Sequence, residues 1–359
     1  MLRSAGSGTA LHDHHIHLFA AAAALASARC GPPEVCDAAG LGAALAAQTP
    51  DAAGWVRGVG YHESVAGPLD RAALDRLRGD RPVRVQHRSG QLWIVNSRAL
   101  AALGLEAGGD APGLERDGAG RATGRLFRAD AWLRARLGPA PPPPFGPLGR
   151  RLAALGVTGV TDATPGNGPA ELAAFAAAQA RGELPARIVV MGTLALSELA
   201  PPPGIGIGPV KIHLADPELP APDELTARIR AAHACARPVA IHCVTRAELV
   251  LALAALEAAG VRAGDRLEHV HVAPPECVAW IARLGLTVCV QPALVAARRA
   301  DWEREADPAD RPWLGPIAAL RAAGVPLLTG SDAPYGPLGA CSSTAAGAGG
   351  GPREHREPP

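Results

Sequence analysis

The sequence has almost no lysine. Lys211, in "GPVKIHL", is the only one, and the other 34 of its 35 Lys plus Arg are arginine. Arginine is therefore the default cation here. A lysine calls for a chemical reason, because Arg holds its proton while a buried Lys amine can lose it. Aromatic residues make up 3% against 48% hydrophobic residues, so the core must be built from Ala, Leu and Val. Net charge is +1, which removes any electrostatic argument for nucleic acid or an anionic membrane as partner. No apolar run is long and pure enough to read as a transmembrane helix. "LFAAAAALASARC" has the look of a signal peptide's apolar stretch, yet "HDHHIH" precedes it instead of a basic segment, and the expectation is a helix. The seven cysteines include no CxxC pair and no zinc-knuckle spacing. They read as reduced thiols of a cytoplasmic protein.

What is present is a rhythm. From Leu152 onward the runs "GVTGVTDA", "RIVVMGT", "PVKIHL", "PVAIHC", "RLEHVHV", "LTVCVQP" and "VPLLTGSDAP" alternate with Ala/Leu/Arg/Glu-rich helical stretches. Alternating β and α predicts a parallel sheet with right-handed crossovers. With the early strand ending in "HDHHIHL" the strands number eight, which closes a (β/α)8 TIM barrel. The fold class is thus α/β. Residues 1–51 read as the first barrel strand and helix, and 52–145 as an inserted α+β segment over the barrel mouth that ends in the stiff "PAPPPPFGP". Residues 146–339 supply the rest of the barrel, and the Gly/Ser/Ala-rich 340–359 read as a disordered tail.

Chemistry collects at the strand ends, where barrel enzymes keep it. His15 and His17 are two apart on one strand and so share a face. The later strands contribute His242, His269 and Asp332 in order. Imidazoles with a carboxylate suit Zn²⁺ or a similar divalent metal. A lone strand histidine is more often structural, but this ordered series on one rim points to a metal. His213 and His271 read as supporting groups, Asp162 and Gln291 as structural, His12 and His14 as flanking, His233 as a helix residue and His355 as part of the tail.

HxH on the first strand, Lys on the fourth, His on the fifth and sixth and Asp on the eighth resemble the amidohydrolase superfamily. "GWVRGVGYHE", "HRSGQLWIVNSRAL", "GVTGVTDA", "VKIHL", "AIHC", "RLEHVHV" and "GSDAP" narrow the resemblance to its amidohydrolase-3 branch, which includes N-substituted-formamide deformylase-like proteins. The resemblance covers Leu11 to Pro337. It implies that His15, His17 and Asp332 hold one metal, that Lys211 is an N-carboxylated bridging ligand, and that His242 and His269 hold a second. One or two ions, with zinc as the expected metal, are consistent with it. The implied activity is hydrolysis of a non-peptide carbon–nitrogen bond, an amide or formamide, in a small molecule by metal-activated water. Asp332 is implied as general base and then acid.

Other polar and aromatic residues of the inserted segment are candidate substrate contacts: Tyr61, His62, Glu63, His87, Gln91, Trp93 and Asn96. Asn96 reads equally well as the cap of a helix starting "NSRAL". The branch often has His where Gln91 stands and an acid where His62 stands. The small β-sandwich usual in the family is expected to be missing, and the segment after Asp332 lacks a clear eighth helix. An open seam there would leave Asp332 poorly supported. Two alternatives stand beside the leading reading: the same metal barrel acting on a phosphoester or lactone, and a truncated, non-catalytic member. A small-molecule substrate is expected, with no nucleic-acid or membrane partner, and a homodimer is allowed.

Overall fold

The computed structural model describes residues 11–339 apart from 107, 139 and 140. The tail from 340 and Cys341 lie outside the described residues. In chain order the strands are β1 (Leu11–Ile16), β2 (Ala28–Arg29), β3 (Val56–Tyr61), β4 (Val83–His87), β5 (Leu92–Val95), β6 (Leu114–Arg116) and β7 (Ala122–Phe127), followed by β8 (Val157–Asp162), β9 (Arg187–Gly192), β10 (Ile205–His213), β11 (Val239–Cys243), β12 (Arg266–His269), β13 (Thr287–Val290) and β14 (Leu327–Thr329). β1 and β8 to β14 pair in that order as one parallel, eight-stranded sheet. This is the expected (β/α)8 barrel. Its outward-facing Val160, Ile188, Val190, Ile212, Ile241, Leu267 and Val288 are buried under the helices.

The seam between the first and last strands is stitched just beyond β14. Asp332 N donates to His15 O at 2.7 Å, and His17 N to Ala333 O at 2.9 Å. Asp13 Oδ1 accepts from both Ser331 N (2.9 Å) and His15 N (3.1 Å). Gly330 permits this approach, since a Cβ there would lie 2.4 Å from His15 Cβ and 2.6 Å from His15 N. The "GSDAP" turn thus supports Asp332 directly, contrary to the open seam expected from the sequence.

The second sheet has the order β2-β3-β4-β5-β7-β6, parallel from β2 to β4 and antiparallel beyond. It starts at Ala28, within the segment read as first strand and helix. "LFAAAAALASARC" is helical only over Leu18–Leu25 and then supplies β2. The helix Ala38–Ala47 buries Leu41 and Leu45 against Val56 and Val85 of this sheet. Among the described residues there is no β-sandwich, no helix is long and apolar enough to cross a membrane, and the six cysteines are unpaired.

Candidate metal centre

β1 carries His15 and His17 to the barrel mouth. The turn after it is fixed by Asp162 at the end of β8, whose Oδ2 accepts from Leu18 N at 2.7 Å. Asp162 Oδ1 accepts from Thr164 N and Asn167 Nδ2 at 2.9 and 2.7 Å. Asp162 therefore orients the strand end, with both carboxylate oxygens engaged. His17 Nδ1 meets Thr164 Oγ1 at 3.0 Å, which leaves Nε2 facing Asp332 Oδ1 at 3.1 Å. His15 Nε2 faces the same oxygen at 3.5 Å. The three side chains sequence reasoning grouped as one ligand set are thus brought together.

β12 supplies a residue that sequence reasoning missed. Glu268 is fully buried, and its Oε2 lies 2.5 Å from His15 Nδ1 while Oε1 accepts from Arg266 Nε at 2.6 Å. Strict strand alternation puts Glu268 opposite His269. Here both reach the barrel interior, because His269 and Val270 take left-handed backbone, φ 70° and 51°. That backbone is rare for residues other than glycine. It turns the His269 ring to within 4.7 Å of the His15 ring and 4.4 Å of the His242 ring. Gln291 Oε1 holds His269 Nδ1 at 2.9 Å. Asp332, at φ 56°, is held in the same unusual region. His242 lies one residue before the end of β11, where Thr245 and Glu248 form a capping box for the helix Arg246–Ala259 and fix the strand's exit.

The electrostatics follow from burial. Burial alone would raise the Glu268 carboxyl, but Arg266, Lys211 and His15 hold it well below the usual carboxylate range. An ionised carboxylate only accepts hydrogen bonds, so His15 must donate from Nδ1. Burial lowers the His15 pKa despite Glu268, so the ring is neutral and Nε2 carries a lone pair. That lone pair faces Asp332 Oδ1, a buried anion that His17 Nε2 also faces at 3.1 Å. Imidazole nitrogens converging on a buried carboxylate oxygen are a fitting donor set for a divalent metal.

Lys211, from β10, is buried in the same interior. Its Nζ has no hydrogen-bond partner, and burial lowers its pKa against the opposing pull of Glu268. Lys211 forms no ion pair with Asp332. His213 stacks on His242 at 4.4 Å between centroids.

A family model described as amidohydrolase family (Amidohydro_3) matches residues 10–353. The chain belongs to the amidohydrolase family. Among solved structures, this amidohydrolase resembles an uncharacterized metal-dependent hydrolase from Pyrococcus horikoshii OT3, with TM-score 0.68 and 18% identity over 91% of this chain and 71% of that one. A second, from Pyrococcus furiosus, gives TM-score 0.67 and 18% identity over 91% and 74%. At that identity the likeness speaks for the fold. A search of the curated proteins gave no match. Family membership makes this a hydrolase of the metal-dependent amidohydrolase type.

Three of the expected substrate contacts of the amidohydrolase are built into the second sheet. Tyr61 is fully buried and donates its hydroxyl to Gly67 O at 2.5 Å. Trp93 is buried and donates Nε1 to Asp130 Oδ1 at 2.9 Å. Asn96 has no exposed surface: Oδ1 accepts from Ala99 N and Val83 N, and Nδ2 donates to Arg78 O and Arg81 O. With every polar atom engaged, none of the three can reach a ligand without unmaking the sheet. His62 caps the short helix Glu63–Ala66, Glu63 Oε2 meets His87 Nε2 at 3.0 Å, and Gln91 is exposed. Tyr335, which sequence reasoning passed over, wedges between sheet and barrel. Its ring lies 5.6 Å from that of His17, and a Cβ on Gly90 would come within 2.5 Å of it.

A cavity of about 430 Å³ opens at the other end of the barrel, beside Arg237 and Arg266. Arg237 spends its donors on Gly208 O, Pro209 O, Thr193 O and Ser197 Oγ. Arg266 spends its own on Glu268 and His14 O. Both arginines beside that cavity are thus committed to the barrel's own groups.

Proposed function

We propose that the protein hydrolyses a non-peptide carbon–nitrogen bond, an amide or formamide, in a small molecule. The observation that carries the reading is the His15–Asp332 confrontation, in which Glu268 forces a lone pair of His15 onto a buried carboxylate. His15, His17 and Asp332 would hold one divalent ion, with zinc best suited to the donors, and His242, His269 and a carboxylated Lys211 a second. Bound there, the metal supplies Lewis acidity and a more acidic water. The remaining work falls to the chain. The Asp332 carboxylate takes a proton from the attacking water and hands it to the leaving amine. Glu268 keeps His15 in one tautomer, and Gln291 orients His269. A Lys211 amine without a counter-ion is the form that reacts with CO₂, which favours carboxylation over a retained ammonium. Unpaired thiols fit a cytoplasmic location.

The test is metal analysis of the protein purified without chelators, alongside His15→Ala/His17→Ala. The parent is expected to carry one or two equivalents of divalent metal and to release amine from simple formamides and acetamides, and the double variant to do neither. Full metal content in the double variant would refute the ligand assignment. Hydrolysis of phosphoesters or lactones in place of amides would move the reading to another bond on the same centre.

A further inference from the structure

The helix Pro292–Glu305, which follows β13, carries Arg298 to the barrel mouth. Nη2 of Arg298 donates to the main-chain oxygens of Arg88 and, at 2.7 Å, Tyr335. Both acceptors are neutral carbonyls. Among the described residues no carboxylate lies within 4.0 Å of this guanidinium. Asp301, the acid on the same helix three residues on, is paired with Arg88 and Arg304. Burial and the neighbouring Arg88 press the Arg298 pKa down to about 10, with Asp332 opposing them. A cation left in this state gains most from a ligand that brings the missing anion, and a planar guanidinium receives a carboxylate in matched geometry.

His271 lies beside it with the same deficit. The residue is 6% exposed, and neither ring nitrogen has a partner. Its ring sits 5.3 Å from the His269 ring and 4.3 Å from Trp302. Trp302 follows Arg298 by four residues on one helix, so the two share a face. Arg298, Trp302 and His271 therefore form one wall of the mouth. Tyr335 ties that wall to the metal centre, since its N donates to Asp332 O at 2.8 Å. Two unpartnered ring nitrogens facing the mouth can hydrogen-bond an amide group of a substrate lying against this wall.

We infer that Arg298 and His271 form a substrate subsite, and that the amide hydrolysed here carries a carboxylate, which Arg298 binds while His271 hydrogen-bonds the amide. The inference rests on the amidohydrolase reading of the centre. It is tested with N-acetyl and N-formyl derivatives of glycine, leucine and phenylalanine, both enantiomers, each as free acid and as carboxamide. Binding to the metal-loaded protein is measured by calorimetry and turnover by amine release. The acids are expected to bind at least about tenfold tighter than their carboxamides, as one charge-assisted pair provides. Arg298→Met should abolish that preference with metal content unchanged, and Arg298→Lys should restore part of it. His271→Gln should keep more of the parent kcat/KM than His271→Ala. No acid preference anywhere in the panel, or a preference that survives Arg298→Met, overturns the subsite. Metal loss in His271→Ala would make that residue a ligand and overturn its role. Bound metal with carboxamides bound and hydrolysed as well as the matching acids would leave the proposed function standing while the subsite fell.

Discussion

Replacing Glu268 by Gln removes a charge without changing shape, so no cavity opens. The Gln oxygen can face His15 Nδ1 or Arg266 Nε, now 2.5 and 2.6 Å from the two carboxylate oxygens. Whichever it serves, the amide NH₂ then meets the other donor. If it serves Arg266, His15 loses its acceptor and can carry its proton on Nε2, toward Asp332 Oδ1. A metal must then displace that proton. Breaking one side of a buried pair costs about 3–5 kcal/mol, so the metal-free protein should lose that much stability in urea unfolding. Loss of an outer partner of a metal ligand costs about 10–100-fold in affinity, readable by competition with a chromophoric chelator. Glu268→Asp keeps the charge and should recover stability more than affinity. A folded Glu268→Gln protein whose metal affinity stays within about threefold of the parent, below any outer-partner effect, would refute the tautomer argument.

Gly330→Ala places a methyl against His15 where the seam closes; thermal denaturation should show a loss of about 1–3 kcal/mol, with weaker metal binding as His15 and Asp332 are pushed apart. Lys211→Arg keeps a cation but cannot form a carbamate; ¹³C NMR after labelled bicarbonate should show a carbamate in the parent and none in the variant, and full activity of the variant would dismiss the modification. Asn96→Ala should cost about 2 kcal/mol or more in equilibrium unfolding, from a lost cap and buried main-chain groups left unsatisfied. Its kcat/KM per folded enzyme should match the parent, since Asn96 only builds the second sheet.

The barrel was legible because each strand is a short apolar run bounded by turn residues, and parallel strands buried on both faces leave that trace. His15, His17, His242, His269 and Asp332 were legible for a related reason: they end those runs. Glu268 was hidden by the rule that revealed the others. Two-residue alternation assigns it to the face opposite His269, and only the left-handed backbone at His269 and Val270 cancels the alternation. β2 was hidden because it is two residues long and owes its existence to pairing with β3 across the helix Ala38–Ala47. Asn96 could be read as a cap or as a substrate contact, and three of the four hydrogen bonds that engage it, from Val83 and to Arg78 and Arg81, come from segments 13 to 18 positions away.

The stitched seam also makes the centre a topological lock. Ser331 and Asp13 meet across 318 positions, and closing a loop of that length costs about 5 kcal/mol of chain entropy. Ligands at both ends of so long a loop are scattered until nearly the whole chain is in place, so metal capture would report completed folding. Once bound, a cation clamping β1 to the "GSDAP" turn would resist opening at the one junction of the barrel closed without a strand ladder. A chelator should then loosen this seam first, visible as faster amide exchange at His15, His17 and Asp332 before any change in the second sheet.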